Sequence, residues 1–372
     1  MSALDGIRVA DFSRVLAGPY ATMLLGDMGA EVIKVERPGL GDDTRTWGPP
    51  YDANGMATYY QSVNRNKKGI TADLTTAEGR EAALKLIETC DVLVENFAVG
   101  SMEKFGLGYA ELSVKFPDLI YCSISGFGSS EEAKALPGYD LLVQAMSGLM
   151  SITGPDSDHP TKVGVALVDV VAGLHASLGI VAALHHRNLS GAGQKIEINL
   201  LSSALSAMVN QSGAFAGAGV VPVAMGNAHP SISPYESYAT KDKQIVIAVG
   251  NDGQFAKFCA VLGIDFATDL RFATNPDRVA NRASLNALLA PILAGKSAEE
   301  WAALLTQAGV PAGPINTMDS AIALASRIGL QPIIEITDPR DGSVSKSIAN
   351  PITFSATPVE YRLGPPRLGI DD

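Results

Sequence analysis

The chain has 372 residues, of which 47% are apolar and 18% charged, so it can bury a substantial core and is predicted to form about two domains. Its net charge of −11 argues against nucleic acid as a main partner but does not exclude an anionic small ligand. The three cysteines are far apart and the five histidines show no HExxH pattern, so no disulfide and no metal site is predicted. Because no signal peptide is recognisable, we expect a cytoplasmic protein.

The N-terminal part of the chain alternates between strand and helix patterns. Strands are predicted at residues 7–11 and 31–36, with a helix between them that begins near Gly18 and Pro19. This βαβ unit predicts a parallel sheet. The first turn, residues 13–18, lacks the GxGxxG fingerprint, so binding of NAD is not favoured.

Residues 37–66 are rich in turn-forming residues and are predicted to form a long loop at the edge of the sheet. Basic residues cluster at its two ends, which is typical either of a solvated surface or of a phosphate-binding rim. These residues are Arg37, Arg45, Arg65, Lys67 and Lys68.

Further strands are predicted at residues 69–74, 91–95 and 119–125. Asn96 and Phe97 directly follow the second of these strands. Open α/β sheets bind their ligands at the carboxyl ends of the strands. The sequence therefore places a candidate ligand site around Asn96 and Phe97.

The most apolar stretch of the chain, residues 163–184, contains a single formal charge, Asp169. A carboxylate in such surroundings loses hydration, which raises its pKa and costs folding free energy. The residues alone allow a membrane span, an N-cap, a core acid satisfied by backbone amides, or a catalytic group. Because Asp169 lies near the middle, glycines interrupt the stretch and no second one exists, one buried helix of a soluble protein is favoured over a membrane span.

The second half of the chain has the pattern of a smaller α+β unit. A helix predicted from residue 200 to about residue 211 ends in a Gly/Ala-rich segment, where we place the change of domain. Hairpins and helices are then predicted at residues 235–249, 254–262, 278–294, 297–308 and 333–348.

Many blocks of the sequence, taken in order, resemble family III CoA-transferases, a family that includes formyl-CoA transferase, carnitine CoA-transferase and α-methylacyl-CoA racemase. The blocks include DFSRVLAGPYATMLLGDMGAEVIKVERPG, VENF, YCSISGFG, PGYDLLVQAMSG, GVALVDVVAGLHASLGI, AGVPAGPIN and NPITFSATPVEYR. The resemblance implies an α/β fold with a Rossmann-like large domain built on a parallel sheet, a smaller α+β domain and a homodimer of interlocked rings. We expect a large domain over residues 1–212, a linker over 213–234, a small domain over 235–325 and a return segment over 326–372.

The resemblance implies that Asp169 is the catalytic nucleophile of a CoA-transferase, with acyl-CoA and a carboxylic acid as substrates and no permanently bound cofactor. Attack on the thioester would give a mixed anhydride and a CoA thiolate, and an aspartyl-CoA thioester would pass CoA to the acceptor. Apolar neighbours would keep water from the anhydride. Because Asp169 must be ionised to attack, backbone amides or a helix N-terminus are expected to hold its charge.

The same resemblance implies a CoA-binding site that follows the strand ends. The matching positions are Leu16, Ala17, Arg37, Ala72, Asp73, Leu74, Thr75, Asn96, Phe97, Ala98, Lys104, Pro137, Gly138, Tyr139 and Asp140. Ala98 departs from the common pattern, in which a larger residue follows Asn-Phe, whereas Lys104 matches a basic position that is often arginine. The loop at residues 129–136 is more acidic than in relatives, and Lys134 is its one candidate for a phosphate contact.

Racemases of this family carry a Gly-His-Asp motif, and in this chain Tyr139 stands in place of the histidine. Since the unperturbed pKa of tyrosine is ~10, it is a poor base at neutral pH. A transferase is therefore favoured over a racemase or epimerase, and Asp169 argues against a non-catalytic CoA-binding homologue. The segments AHPSISPY and GNDGQF resemble those of enzymes for dicarboxylates, so succinyl-CoA is the expected donor and a small dicarboxylic acid the expected acceptor.

Overall fold

The computed structural model describes residues 1–372 and contains a six-stranded sheet, two smaller sheets and fifteen α-helices. The strands are β1 (Arg8–Asp11), β2 (Glu31–Glu36), β3 (Lys67–Thr71), β4 (Val92–Glu95), β5 (Ile120–Ser125), β6 (Lys195–Asn199), β7 (Tyr235–Ala239), β8 (Gln244–Ala248), β9 (Ala312–Pro314), β10 (Ile333–Thr337) and β11 (Val344–Ile348). The helices are α1 (Ala17–Asp27), α2 (Thr58–Gln61), α3 (Ala77–Glu88), α4 (Ser101–Lys104), α5 (Tyr109–Lys115), α6 (Glu131–Lys134), α7 (Asp140–Met146), α8 (Leu167–Ser190), α9 (Leu200–Ala207), α10 (Val209–Ala218), α11 (Asp252–Leu262), α12 (Asn275–Ala280), α13 (Arg282–Leu293), α14 (Ala298–Gln307) and α15 (Met318–Arg327).

The six-stranded sheet is parallel throughout and has the strand order β3-β2-β1-β4-β5-β6. This is the strand order of the Rossmann-type doubly wound sheet. In β1, Ala10 lies opposite Ile33 of β2 and Leu93 of β4, so the chain order reverses between β1 and β4. The loops that follow these two strands border the crevice in which such sheets bind ligands. An α/β fold with a parallel sheet is thereby confirmed.

Both faces of the parallel sheet are covered by helices. Successive residues of a strand point to opposite faces, so Val9 packs with α1 and α8, whereas Ala10 packs with α3, α4 and α5. The first face is lined by small residues of α8, among them Ala172 and Ala176, which let this helix approach the strands closely. The core on that face therefore fixes the position of α8.

Two compact units divide the chain. The first comprises Met1–Leu149, Lys162–Val221 and Gln331–Asp372, and it contains the parallel sheet and the β10-β11 hairpin. The second comprises Met150–Thr161 and Pro222–Leu330, with the antiparallel sheet β7-β8-β9 packed on helices through an aromatic core. That core includes Phe255, Phe258, Phe272 and Trp301.

Helix α8 corresponds to the apolar stretch around Asp169, and it is long and apolar enough to cross a membrane. Its small residues are buried against the sheet, as expected of the core helix of an α/β fold. Its opposite face is exposed and carries large apolar side chains, namely Leu174, Leu178, Val181 and Leu189. The cytoplasmic location of the protein stays a prediction.

Two predicted boundaries in the parallel-sheet unit were wrong for identifiable reasons. Strand β3 begins at Lys67 rather than residue 69, and the Lys67 side chain is completely buried in an ion pair with Asp11. A charged residue is not expected at a buried strand position, so the sequence did not indicate this start. The strand ends at Thr71 rather than residue 74, since the Asp73 side chain accepts a hydrogen bond from the Thr75 N–H and turns the chain.

Helical structure in the second half of the chain also differs from the prediction. The Gly/Ala-rich segment after residue 211 is still helical, since α10 continues to Ala218, where Gly219 with φ of 68° ends it. The helix predicted at 278–294 is two helices separated at Asn281. Strand β9 and helix α15 had no recognised signal in the sequence.

Helices α1 and α8 lie close together at Gly173. A Cβ atom at this position would lie 2.7 Å from the carbonyl oxygen of Ala17, the first residue of α1. Backbone cannot yield as a flexible side chain can. Glycine at position 173 therefore sets the distance between the two helices, four residues after Asp169.

We expect Gly173→Ala to destabilise the protein by roughly 1–3 kcal/mol, because the added methyl group must displace α8 from Ala17. Gly213→Ala in α10 is the matched control, since a Cβ there meets nothing within 4 Å. That change should be neutral or stabilising by up to about 1 kcal/mol. Thermal unfolding of both variants provides the measurement, and equal shifts in Tm would contradict the close packing at Gly173.

Candidate active site

A cavity of about 330 Å³ lies at the carboxyl ends of β1, β4 and β5. The loops that follow these strands form much of its wall, together with the segment before α7 and the first turn of α8. The predicted site residues that line it are Leu16, Ala17, Asn96, Phe97, Ala98, Pro137, Gly138, Tyr139 and Asp169. Predicted positions from four separate parts of the sequence are thus brought to one place.

A second, smaller cavity of about 110 Å³ adjoins the first, because Arg14 and Phe97 line both. Its wall contains the remaining predicted group from the edge of the sheet, namely Arg37, Ala72, Asp73, Leu74 and Thr75. The two groups of predicted CoA contacts therefore lie in neighbouring cavities.

Two of the predicted CoA-binding residues are not among those that line either cavity. Lys104 is an exposed residue at the end of α4. Asp140 is half-buried and its carboxylate accepts hydrogen bonds from the first turn of α8. The binding roles assigned from the resemblance stay predictions for all of these residues.

The side chain of Asn96 holds the first βα turn in place. The Arg14 N–H donates to Asn96 Oδ1 at 2.8 Å, and Asn96 Nδ2 donates to the Arg14 carbonyl oxygen at 2.7 Å. Asn96 thus joins the loop after β4 to the loop after β1, across the point where the strand order reverses. The Asn96 amide therefore positions the wall of the cavity. The sequence did not indicate this structural role of Asn96.

A buried aspartate supports the same turn from beneath. Val15 has the left-handed φ of 66°, which is rare for a β-branched residue, and its N–H donates to Asp42 Oδ2 at 3.2 Å. Lys34 Nζ donates to the same oxygen at 2.9 Å. Burial disfavours the Asp42 anion, but the Lys34 charge and hydrogen bonds from Thr44 outweigh burial and lower the pKa of Asp42 to about 2.

Arg14 is a candidate ligand contact that the sequence did not identify. Its guanidinium lies over the Phe97 ring at 5.0 Å, and its Nη1 lies 3.6 Å from Asp43 Oδ2. Asp43 also accepts a hydrogen bond of 2.8 Å from Arg37 Nη2, so two cations flank one carboxylate at the border of both cavities. The available signal in the sequence was the place of Arg14 in the turn that follows β1, at the carboxyl end of a strand of the parallel sheet.

Asp169 is the third residue of α8, and its carboxylate is half-buried at the wall of the larger cavity. The residue is not an N-cap, since Ala166 occupies that position. Its carboxylate accepts no hydrogen bond within the chain. Burial first, and the Asp140 charge second, raise the pKa of Asp169 to about 7.

The expectation was that backbone amides or a helix N-terminus hold the charge of Asp169; the residue lies in the first turn of α8, but no backbone amide donates to its carboxylate. The N–H groups of Val168 and Asp169 donate to Asp140 Oδ1 at 2.9 and 3.3 Å, so the first-turn amides serve a different carboxylate. The sequence placed Asp169 near the middle of its apolar stretch and gave no sign that Asp140, 29 residues earlier, occupies those donors.

Residues 4–372 match the sequence profile of the family described as CoA-transferase family III. This chain belongs to that family. The transferase is 43% identical to a succinate–glutarate CoA-transferase of Agrobacterium fabrum, over 98% of this chain and 93% of the relative. It is 43% identical to a succinyl-CoA:mesaconate CoA-transferase of Haloarcula hispanica, over 86% of this chain and 82% of the relative. A crystal structure of a CAIB/BAIF family protein from Brucella suis superposes with a TM-score of 0.87 and 42% identity, covering 100% of this chain and 97% of that one.

The family membership gives the chain its general activity. The chain is an enzyme, a CoA-transferase, and its substrates are an acyl-CoA and a carboxylic acid. It shares the α/β fold of the CAIB/BAIF structure over its whole length.

Tyr59 is a second group near the nucleophile candidate of this CoA-transferase that the sequence did not indicate. Burial, followed by the charges of Asp169, Asp140 and Asp42, raises the pKa of Tyr59 to about 12. The Tyr59 ring makes an edge contact with Trp47 at 5.3 Å. The Tyr59 hydroxyl therefore keeps its proton at neutral pH and stays a hydrogen-bond donor beside these carboxylates.

We expect Asn96→Ala to raise the KM of the CoA-transferase for acyl-CoA by about tenfold and to change kcat little. The substitution removes two hydrogen bonds to the Arg14 backbone, each worth about 1 kcal/mol, while leaving Asp169 in place. Asn54→Ala is the control, because the Asn54 amide bonds to the Val344 carbonyl oxygen and to Asp52, outside both cavities. Steady-state kinetics separate the two parameters, and an unchanged KM would show that the turn holds its shape without Asn96.

Proposed function

We propose that this enzyme transfers CoA from succinyl-CoA to a small dicarboxylic acid through covalent intermediates on Asp169. The observation that carries the proposal is the state of the Asp169 carboxylate. It lies at the wall of the 330 Å³ cavity, accepts no hydrogen bond within the chain and has a pKa raised to about 7. A carboxylate that nothing stabilises in its ground state is a better nucleophile than one that several donors solvate.

The reaction proceeds in four balanced acyl transfers. The Asp169 carboxylate attacks the thioester carbonyl of succinyl-CoA, and the C–S bond breaks to give a mixed anhydride and a CoA thiolate. The thiolate attacks the aspartyl carbonyl, which releases succinate and leaves an aspartyl-CoA thioester. The acceptor carboxylate then attacks this thioester to form a second anhydride, and the thiolate attacks its acceptor acyl carbonyl, which frees Asp169.

The walls of the cavity suit these reactive intermediates. Leu16, Ile124, Phe127 and Leu200 contribute apolar surface around Asp169. An anhydride is lost to hydrolysis if water reaches it, and apolar walls limit the number of waters that can attack. Tyr59, whose pKa is raised to about 12, offers no strong base, and position 139 holds tyrosine where racemases carry histidine, which favours acyl transfer over removal of an α-proton.

CoA lies across both cavities in this proposal. The thioester reaches Asp169 in the larger cavity, and the nucleotide end contacts Arg37 and residues 72–75 in the smaller one. Arg14 stands at the border of the two cavities, where its guanidinium and that of Arg37 can bind phosphate oxygens in place of Asp43. The names of the Agrobacterium and Haloarcula relatives, which act on glutarate and mesaconate, support a dicarboxylic acceptor.

Trapping of the intermediate tests the mechanism directly. We expect wild-type enzyme incubated with succinyl-CoA and then treated with hydroxylamine to carry an aspartyl hydroxamate in the tryptic peptide of residues 163–187. Asp169 is the only carboxyl side chain in this peptide, so its mass assigns the site without ambiguity. With glutarate as acceptor the enzyme should form glutaryl-CoA, and with acetate much less product.

Asp169→Ala should lose the hydroxamate and at least about 10³-fold of the transfer rate, because the carboxylate proposed to form the anhydride is absent. The control is Asp118→Asn, which removes an exposed carboxylate of the same unit and should behave as wild type. Transfer by Asp169→Ala at the wild-type rate would refute the mechanism. Equal rates with acetate and glutarate would refute the dicarboxylate preference alone.

We also propose that the enzyme is a homodimer. The exposed face of α8 and the neighbouring helices α9 and α10 carry large apolar side chains that water would otherwise contact, a pattern that marks protein interfaces. Among them are Leu178, which is 69% exposed, Val209 at 72% and Phe215 at 60%. A second copy of the chain is the partner that the resemblance to interlocked dimers suggests.

Light scattering coupled to gel filtration should give about twice the chain mass of 38.8 kDa. Leu178→Glu should shift the mass toward that of one chain, because it places a charge in the interface. Val114→Glu is the control: Val114 is 84% exposed on α5, and the variant should remain a dimer. A wild-type mass of one chain would rule out the homodimer.

A further inference from the structure

Two side chains of α7 reach the beginning of α8, although neither contacts the Asp169 carboxylate by a hydrogen bond. They are Asp140 in the first turn of α7 and Gln144 one turn later, so both project from the same side of the helix. Gln144 is completely buried and Asp140 half-buried. A buried amide and a carboxylate at this place require partners, and these two side chains bond to each other and to residues 163–169.

Asp140 occupies the free amides of α8. Its Oδ1 accepts from the N–H groups of Val168 and Asp169 at 2.9 and 3.3 Å. The N–H of Leu167 donates to the Val165 carbonyl oxygen at 2.8 Å. All three N–H groups of the first turn therefore donate to other acceptors, and none is left for the Asp169 side chain.

Gln144 fixes both Asp140 and the segment that leads into α8. Its Nε2 donates to Asp140 Oδ2 at 2.6 Å and to the Val165 carbonyl oxygen at 3.3 Å. Its Oε1 accepts from the Val163 N–H at 2.9 Å. Glutamine provides a donor and an acceptor at once, and a glutamate here would repel Asp140.

An aspartate in the first turn of a helix is usually attracted to the N–H groups that lack partners there. Asp169 lies in such a turn, but its carboxylate lines the cavity and accepts no hydrogen bond within the chain. We infer that Asp140 and Gln144 are positioning residues, which take the helix-end amides so that the Asp169 carboxylate stays unsolvated and directed at the substrate. The inference rests on the proposed role of Asp169 as nucleophile.

The negative charge of Asp140 has the same effect on Asp169 as its hydrogen bonds do, since both leave the Asp169 carboxylate less stabilised. The groups that share the surroundings of Asp169 are Asp140 on α7, Tyr59 on α2, and Arg14, Asp43 and Lys134 at the cavity wall. Asp140 is the charged group that, after burial, most affects Asp169. Removal of its charge must lower the pKa of Asp169, because a neighbouring anion opposes ionisation.

The pH dependence of kcat/KM tests the inference. In wild-type enzyme kcat/KM should fall below a pH of about 7 as Asp169 becomes protonated. Asp140→Asn keeps an oxygen for the two amides but removes the charge, so the acid limb should move to lower pH by about one unit. The rate at pH 8 should fall by about tenfold, because a less basic carboxylate is a weaker nucleophile.

Gln144→Ala releases Asp140 and should shift the acid limb in the same direction with a similar loss of rate. Its matched control is Gln61→Ala, which removes another buried glutamine whose Nε2 donates to a backbone oxygen, that of Lys346, at 3.0 Å. This control should keep the wild-type pH profile. If Asp140→Asn does not fold, the comparison of the two glutamine variants decides the question.

The outcomes separate the inference from the function on which it rests. If wild-type enzyme forms no hydroxamate in the peptide of residues 163–187, the nucleophile itself is wrong. If the hydroxamate forms but Asp140→Asn keeps its acid limb, or Gln144→Ala matches Gln61→Ala, the positioning role is overturned and the nucleophile stands. A simple loss of stability would lower the amount of active enzyme and leave the pH profile unmoved.

Discussion

The site depends on ion pairs buried beneath the first βα turn. Lys67 Nζ lies 3.0 Å from Asp11, and Lys34 Nζ lies 2.9 Å from Asp42, with all four side chains shielded completely from solvent. Removal of one partner from such a pair leaves an uncompensated charge and costs about 3–5 kcal/mol. Lys34 also donates to the Ser13 carbonyl oxygen at 3.0 Å. The network therefore keeps the turn in one conformation, including the left-handed φ of Val15, before any ligand arrives.

The position of the nucleophile candidate follows from this turn through direct contacts. The turn determines where α1 begins, and the first residue of α1, Ala17, meets α8 at Gly173. Asp169 lies one turn earlier on α8, and Asp140 occupies the amides beside it. Neither the strand ends nor α8 alone would create the site, because each fixes only one side of the cavity. The enzyme obtains a precise geometry from backbone contacts and buried charges rather than from residues that touch the substrate.

Local sequence patterns predicted the α/β fold, the parallel strands and the place of the ligand site. Hydrophobic periodicity and the ends of strands depend on residues that are close together in the sequence, so they can be recognised without the structure. Asp169 was recognisable because a lone charge in an apolar stretch is conspicuous. Three features were not predictable in this way: the hydrogen bonds of Asp140 to α8, those of Asn96 to the Arg14 backbone, and the buried ion pair of Lys67. Each joins residues that are 29 to 82 positions apart, and only the fold reveals which donors a distant side chain has already taken.

The raised pKa of Asp169 also links activity to the free energy of unfolding. The carboxyl has a reference pKa of 3.8 and a folded value of about 7, so between these pH values the folded chain binds more protons than the unfolded one. The contribution of Asp169 to stability therefore falls as pH rises through that interval, and the whole loss is present above about pH 7. In the proposed mechanism the ionised carboxylate attacks the thioester, and this ionised form is the one that destabilises the fold. For the proposed nucleophile, reactivity and stability therefore make opposite demands on this single residue.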